Sequence, residues 1–262
     1  MRIESLWVTM HFSESIRSHT FASKFFDLFH SVYPELKFNL MGEWEPPRAE
    51  FDLSKAIKEW EQNRGTKDKQ KGRYIFLGTS PYEFYVLPHW YMGGDVLWTD
   101  NLSVVFSEQA QSSERLTESS YRLIELLKGL ARLGTPLYGK AYQDSEWKAK
   151  NFTNEYSLPG GGSARESISL TPKQGIVDLY WANYFGKPYA LIFGEESIEK
   201  VECPVKEKVG DGFLLVFSEH PKFWETKEVR ELQEKAKEVL DHGVFYDRAA
   251  NKKPSLQIGR QR

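Results

Sequence analysis

Histidine and glutamate are the residue types in this sequence best suited to proton transfer or metal binding. No histidine lies three or four residues from a second histidine or a carboxylate in a zinc-binding pattern. Glu195 and Glu196 would point apart on a helix, and Glu43 and Glu45 precede two prolines in an expected loop. Local spacing therefore predicts no metal site and no catalytic pair. The histidines considered are His11, His19, His30, His89, His220 and His242.

A run of three glycines followed by Ser163, beginning at Gly160, could aim backbone N–H groups at a phosphate. The Gly-Lys-Ser/Thr ending of a phosphate loop is missing, and so is the trailing glycine of a nucleophile elbow. We expect a loop or a linker here.

The segment PHWYMGGDVLWTD, which begins at Pro88, places aromatic and acidic residues around two glycines. Exposed Trp and Tyr beside carboxylates are typical of protein-binding hot spots. A hairpin whose aromatic side chains pair across strands is the more ordinary explanation, and a sugar or base platform is a further alternative. Our candidates for contact with a protein partner are Tyr91, Asp95, Trp98 and Asp100.

Composition and charge argue against several classes of protein. Lys and Arg total 35 against 37 Asp and Glu, so the formal charge is −2 and the strong basic excess of a nucleic-acid binder is missing. The lone Cys203 allows no internal disulfide and fits a reducing compartment. Polar residues interrupt every apolar run before it reaches the length of a signal peptide or a membrane span. We expect a cytoplasmic protein without a membrane segment, a nucleic-acid partner or a cofactor.

Strand and helix patterns alternate in the first half of the chain. Period-two alternation predicts strands at residues 6–10 and 36–41, and helical spacing predicts helices at 21–32 and 51–62. Ser18 or Thr20 can cap the first helix and Pro34 ends it. Three β-rich runs between residues 73 and 107 predict an antiparallel meander. A wide apolar stripe then predicts a helix at 117–134 that covers a sheet.

The aromatic-rich second half carries helical spacing over residues 173–185, where Gly186 can end a helix. Pro188 can open a second short helix, and Gly194 can end it. We expect the aromatic rings to face inward, followed by a buried strand at residues 212–218 and a helix at 224–240. Structural roles are assigned to Asn183, Phe185, Gly186 and Gly194.

The predicted fold class is α+β, with mixed or antiparallel sheets covered by helices. The hydrophobic pattern lapses around residues 156–170, which we interpret as a Gly/Ser-rich loop or linker. This interpretation gives an N-terminal α+β lobe at residues 1–155 and a C-terminal α+β lobe at 171–262. One continuous domain is the alternative.

The order of elements after residue 117 also carries recognisable motifs. A helix leads into an extended segment with Pro136, Tyr138 and Gly139, and later an aromatic turn with Asn183, Tyr184, Phe185 and Gly186 precedes a short glycine-ended helix. Over about residues 117–246 the chain resembles the bacterial immunity-protein class, and more narrowly the Imm52-type family found beside polymorphic toxins.

That resemblance implies a protein that binds and blocks a toxin made by its own cell, without catalysis or a cofactor. The toxin-contacting positions vary in the family, so none is transferred to this chain. Two alternatives stay open: a hydrolase-type enzyme whose His and carboxylate residues are brought together by the fold, and a defence-system accessory protein. The second alternative predicts that Lys67, Lys69, Lys71 and Arg73 share a basic face with other cations. The sequence does not determine the oligomeric state.

Overall fold

The computed structural model describes residues 4–62, 71–91, 98–107, 116–157, 163–256 and 258. The helices in these ranges are α1 (His19–Val32), α2 (Leu53–Gln62), α3 (Leu116–Ala131), α4 (Asp144–Asn151), α5 (Lys187–Phe193), α6 (Glu195–Lys200) and α7 (Lys227–Leu240). The strands are β1 (Leu6–Phe12), β2 (Leu40–Gly42), β3 (Ala49–Glu50), β4 (Lys71–Arg73), β5 (Ile75–Gly78), β6 (Phe84–Tyr91), β7 (Asp100–Phe106), β8 (Pro136–Gln143), β9 (Phe152–Ser157), β10 (Ser163–Ser167), β11 (Ala182–Phe185), β12 (Val205–Val209) and β13 (Gly212–Val216).

One 11-stranded antiparallel sheet organises the described residues. Its order is β12-β13-β11-β8-β1-β7-β6-β5-β2-β3, and β4 pairs with β6 beside β5. The predicted meander is present as β5, β6 and β7, which are neighbours in the sheet. Strand β1 lies at the centre, because it pairs with β7 on one side and with β8 on the other.

The first face of the sheet is covered by α1, α2 and α3. Phe26 of α1 contacts Phe76 of β5 at a ring distance of 5.3 Å, and Phe25 contacts Trp60 of α2 at 5.5 Å. Because aromatic side chains bury large apolar areas, this cluster contributes strongly to the hydrophobic stabilisation of the fold. Alternate residues of β1, among them Val8 and Met10, complete it from the sheet.

In the described part of the chain, helices cover the second face of the sheet only where β8, β11 and β13 lie. There α5 packs on β8, β11 and β13, and Phe185 contacts Phe193 at a ring distance of 5.1 Å. Ala236 and Leu240 of α7 belong to the same apolar cluster. Towards β6, side chains on this face remain partly exposed, among them Trp7, Tyr85, Leu87 and His89.

Helix ends follow the sequence signals. Ser18 caps α1 by accepting a hydrogen bond from the backbone N–H of Phe21, and Asp52 accepts one from Lys55 at the start of α2. Gly186 is an exception: it was predicted to end a helix, but it is the residue before α5, where an added Cβ would lie 1.8 Å from the carbonyl oxygen of Pro136. Gly194 ends α5 with φ 76°, a left-handed conformation that glycine adopts without strain.

The predicted helix at residues 173–185 is wrong. The segment forms turns and then β11, although its rings are buried as expected. Its backbone finds partners outside a helix: Asn183 Oδ1 accepts from Tyr180 N at 3.0 Å, and Glu146 Oε2 accepts from Trp181 N at 3.1 Å. Asn side chains compete with helical hydrogen bonds in this way, so spacing alone was misleading. The predicted strand at 36–41 is shorter than expected, since β2 begins only at Leu40.

The α+β class with helices packed on an antiparallel sheet is confirmed. Strands from both predicted lobes enter the same sheet, because β11 of the C-terminal part pairs with β8 of the N-terminal part. Within the predicted linker, β10 pairs with β9, whereas residues 158–162, including Gly160, lie outside the described residues. The division into two lobes stays a prediction.

Candidate functional site

Two of the predicted partner-binding residues meet at the edge of the second face. The rings of Tyr91, at the end of β6, and Trp98, just before β7, stack with centroids 5.1 Å apart and an interplanar angle of 14°. Trp98 is 40% exposed, so this stack presents an aromatic surface to solvent. Asp95 falls within residues 92–97, outside the described residues.

Asp100 faces the interior. It is only 7% exposed, and its carboxylate accepts hydrogen bonds from Ser15 Oγ at 2.8 Å and Ile16 N at 3.0 Å. It also accepts from Tyr91 N at 2.8 Å. These contacts join the segment after β1 to the end of β6. Asp100 therefore does not supply the acidic surface that the sequence predicts at this position. Contact between Asp100 and a protein partner stays a prediction.

A line of polar side chains crosses the second face beside this stack. His11 of β1 pairs with Asn101 of β7, Asn101 pairs with His89 of β6, and His89 pairs with Arg73 of β4. Side chains of directly paired residues project from the same face of a sheet. We call these four residues, His11, Asn101, His89 and Arg73, the polar row.

Hydrogen bonds fix the two histidine rings of the polar row. His11 Nδ1 lies 3.1 Å from Thr99 Oγ1, next to Trp98 in sequence. His89 Nδ1 donates to Asn101 Oδ1 at 3.3 Å. In the neighbouring row of the same face, the hydroxyls of Thr9 and Ser103 are 3.0 Å apart. The rings are thus held by neutral groups.

Lys140 of β8 flanks the polar row. It pairs with Thr9 of β1, which lies two residues before His11 and on the same face of the sheet. Its Nζ lies 4.1 Å from the ring centroid of Tyr180 and 5.0 Å from that of Tyr142, within the range of cation–π attraction. The ring of Tyr142 in turn stacks on Trp7.

Burial makes these basic groups weak bases. It lowers the pKa of His11 to about 3, with further contributions from Lys140 and His89. It also lowers the pKa of His89, where Arg73 adds to the effect and the Asn101 hydrogen bond opposes it. The pKa of Lys140 falls to about 7, mainly through burial. Both histidines are therefore neutral at pH 7, while Lys140 is partly protonated.

The contacts of the described histidine rings differ from those of an acid–base dyad. Such a dyad pairs a histidine with a carboxylate, whereas His11 and His89 contact a threonine hydroxyl and an asparagine amide. His220 Nδ1 accepts from the backbone of Lys222 and caps a short 3-10 turn. Within the described ranges no group of three metal-ligating side chains comes together. The site can offer hydrogen bonds, aromatic surface and a positive charge that depends on pH.

The residues assigned structural roles lie in β11 (Asn183 and Phe185) and at the two ends of α5 (Gly186 and Gly194). Asn183 is 0% exposed, and its Oδ1 also accepts from Tyr138 Oη at 3.0 Å. Its Nδ2 donates to the carbonyl of Tyr180 at 2.8 Å. Phe185 contacts Phe193 in the second core. Asn183 thus ties β8, β11 and the preceding turn together.

Comparison with known proteins adds a likeness of fold. No family model matches the sequence, and no curated protein matches it closely enough to count as a relative. The structure is similar to that of the Pseudomonas aeruginosa T6SS protein PA0821, with a TM-score of 0.55, 14% identity, and coverage of 90% of this chain and 77% of that chain. At this identity the likeness shows a shared fold. The Imm52-type resemblance stays a prediction.

Helices long and apolar enough to span a bilayer do not occur in the described ranges.

Proposed function

We propose that this chain is an immunity-type protein that binds a toxin of its own cell and neutralises it by occlusion. The observation that carries the proposal is the Tyr91–Trp98 stack, in which an exposed tryptophan packs on a tyrosine ring at the rim of a polar sheet face. Rigid Trp and Tyr anchors surrounded by polar groups are typical of binding hot spots. The fold shared with a T6SS protein is compatible with a secretion-associated role.

Occlusion needs affinity and shape, and it needs no chemistry on the toxin. Nanomolar inhibition corresponds to about 12 kcal/mol of binding free energy, which an interface of standard size can supply. A sheet with apolar cores on two faces forms a stiff support for such an interface, because packed cores deform little. Side chains anchored on the sheet then lose little conformational freedom on binding.

The hydrolase alternative has no comparable support from the described residues. It requires a histidine oriented by a carboxylate, and the contacts of His11, His89 and His220 described above do not provide one.

The proposal is tested with a toxin identified by co-purification with this protein from its native host. Trp98→Ala should weaken toxin binding by about 2 kcal/mol or more, because truncation removes an anchor of a hot spot. Calorimetric titration measures the dissociation constant, and growth of cells that co-express the toxin measures neutralisation. The melting temperature should stay within about 2 °C of the wild type, since the ring is partly exposed.

Tyr121→Ala is the matched control, because Tyr121 is an aromatic residue of α3, the helix on the opposite face, and is 65% exposed. It should leave toxin affinity within about twofold. Equal losses of toxin affinity in both variants, or no loss in Trp98→Ala, would show that the Tyr91–Trp98 stack is not part of the interface. If no toxin co-purifies and none is neutralised, the immunity role fails.

A further inference from the structure

Among the residues that the structure describes, Lys140 differs from the other shielded lysines in forming no ion pair with an acidic side chain. Lys128 pairs with Glu207 at 2.6 Å, Lys150 with Glu146 at 2.7 Å and Lys237 with Asp178 at 3.1 Å. Lys140 instead rests on the rings of Tyr180 and Tyr142, and no ion pair or hydrogen bond to its Nζ is seen within the described part of the chain. A shielded ammonium group without a carboxylate beside it is costly, and a carboxylate supplied by a binding partner would offset that cost.

The basic groups of the polar row extend this feature across the sheet. Adjacent strands are about 4.8 Å apart, so His11, His89 and Arg73 span about 14 Å across four strands, with Lys140 on the next strand beyond His11. Arg73 is exposed, and its guanidinium lies 5.5 Å from the ring of Trp44. Both histidine rings and the lysine are half-buried. The length fits a short peptide segment laid across the strands.

Three carboxylates around this part of the sheet already accept hydrogen bonds from other groups. Glu146 influences Lys140 but is hydrogen-bonded to Lys150 and to Trp181 N. Asp100 accepts its three internal hydrogen bonds, and Glu83 accepts from the Tyr85 hydroxyl. The described part of the face therefore presents donors and basic groups in excess over acids.

We infer that the polar row and Lys140 bind a carboxylate-bearing segment of a protein partner. This inference rests on the proposed function, and it specifies the toxin surface as acidic where it meets this face. The Tyr91–Trp98 stack lies beside the segment and supplies the apolar anchor. In the tautomer in which His11 Nδ1 accepts from Thr99, His11 Nε2 keeps its hydrogen and donates to a partner oxygen.

A protein partner fits this face better than a nucleic acid. Phosphate backbones are bound by several permanent cations, whereas Arg73 is the permanent charge in the polar row and both histidines are neutral at pH 7. A carboxylate needs fewer charges and accepts hydrogen bonds from neutral donors.

Binding of a carboxylate should be linked to proton uptake. An anion beside Lys140 raises its pKa from about 7, so the free protein must gain a proton on binding above pH 7. The affinity should therefore be constant below pH 7 and fall as the pH rises above it. Tyr142 and Tyr180, which face Lys140, have raised pKa values and stay neutral there, while Lys150 stays paired with Glu146.

The experiment uses the full chain and a blocked hexaglutamate peptide as the probe. Ring resonances of His11 and His89 should shift saturably in ¹H–¹³C spectra, and those of exposed His19 and His30 on the opposite layer should not. Between pH 6.5 and pH 8.5 the affinity should fall about tenfold, as Lys140 loses its proton in the free protein.

Two variants at one position separate charge from packing. Lys140→Met should weaken binding at pH 6.5 about fivefold or more and abolish the pH dependence, because the titrating group is gone. Lys140→Arg should keep the affinity at pH 8.5, because a guanidinium stays charged. Lys187→Met, at an exposed lysine of α5, is the control and should match the wild type.

Absence of saturable shifts, an equal loss in Lys187→Met, or tighter binding of a six-nucleotide single strand would overturn the inference. If the toxin binds Lys140→Met normally at every pH, the inference fails while the immunity role stands. If hexaglutamate binds as expected but no toxin is neutralised, the carboxylate site stands and the immunity role fails.

Discussion

Asp100 joins three parts of the N-terminal half through one carboxylate. The carboxylate accepts hydrogen bonds from Ser15, Ile16 and Tyr91 at the end of β6, and two of these three donors are backbone N–H groups. Asp100→Ala should lower the free energy of unfolding by about 3 kcal/mol, because buried backbone donors lose their partner. Urea denaturation measures this change.

Asp27→Ala, at an exposed position of α1, should change the free energy of unfolding by less than about 0.5 kcal/mol. If Asp100→Ala were as stable as this control but bound the toxin more weakly, Asp100 would contact the partner directly, as the sequence predicts.

Residue types alone identified aromatic anchors but not the polar row. Trp98 and Tyr91 stood out because large aromatic residues are conspicuous beside glycines. His11, Asn101 and Lys140 are separated by long stretches of chain, and they meet only because β1 pairs with β7 and β8. The sequence feature that could have indicated the polar row is the alternation in β1, which places Thr9 and His11 on the face opposite Val8 and Met10.

At the scale of elements, α4 carries a buried ion pair whose lysine also bonds to α7. Lys150 donates to Glu146 on the same helix and to Gln233 of α7 at 2.9 Å, and Glu146 is fully buried. Lys150→Met should destabilise the fold by about 3–5 kcal/mol, because the Glu146 carboxylate stays buried but loses the ammonium group that pairs with it. Urea denaturation at pH 5 and pH 8 measures the effect.

The loss should be greater at pH 8 than at pH 5. Burial already raises the pKa of Glu146, and removal of Lys150 raises it further. A group whose folded pKa exceeds its unfolded pKa stabilises the fold at low pH and loses that contribution as the pH rises. Lys148→Met, at an exposed lysine on the same helix, should cost less than about 0.5 kcal/mol at both pH values. Equal losses in the two variants would contradict the role of the buried pair.

Periodicity predicted the strands β1, β6, β7 and β13 and the helices α1, α2, α3 and α7, because each carries one uninterrupted pattern. It was wrong at residues 173–185, where buried side chains from α4 and β11 supply the backbone hydrogen bonds. It also gave no order for the strands. Strand order depends on contacts between distant segments, and these lie outside any local window.

At the scale of the whole molecule, two apolar cores share one sheet. Ala141 of β8 belongs to the first core and Tyr138 of the same strand to the second. We propose that the chain unfolds as one unit, because loss of either core exposes the same strands. Calorimetry should show a single transition whose van't Hoff and calorimetric enthalpies agree.

Phe29→Leu in the first core and Phe193→Leu in the second should each lower that single midpoint by about 5 °C. Two transitions, each shifted by only one of these variants, would instead support the two lobes predicted from the sequence.

The central position of β1 bears on how the protein is made. Thr9 and its cross-strand partner Ser103 are 94 residues apart in the chain. At a translation rate of about 5–20 residues per second, β1 waits roughly 5–20 s for β7 to be synthesised, and longer for β8. During that interval a strand with an apolar face has no pairing partner on the nascent chain, so it is the segment in which we expect a ribosome-associated chaperone to bind.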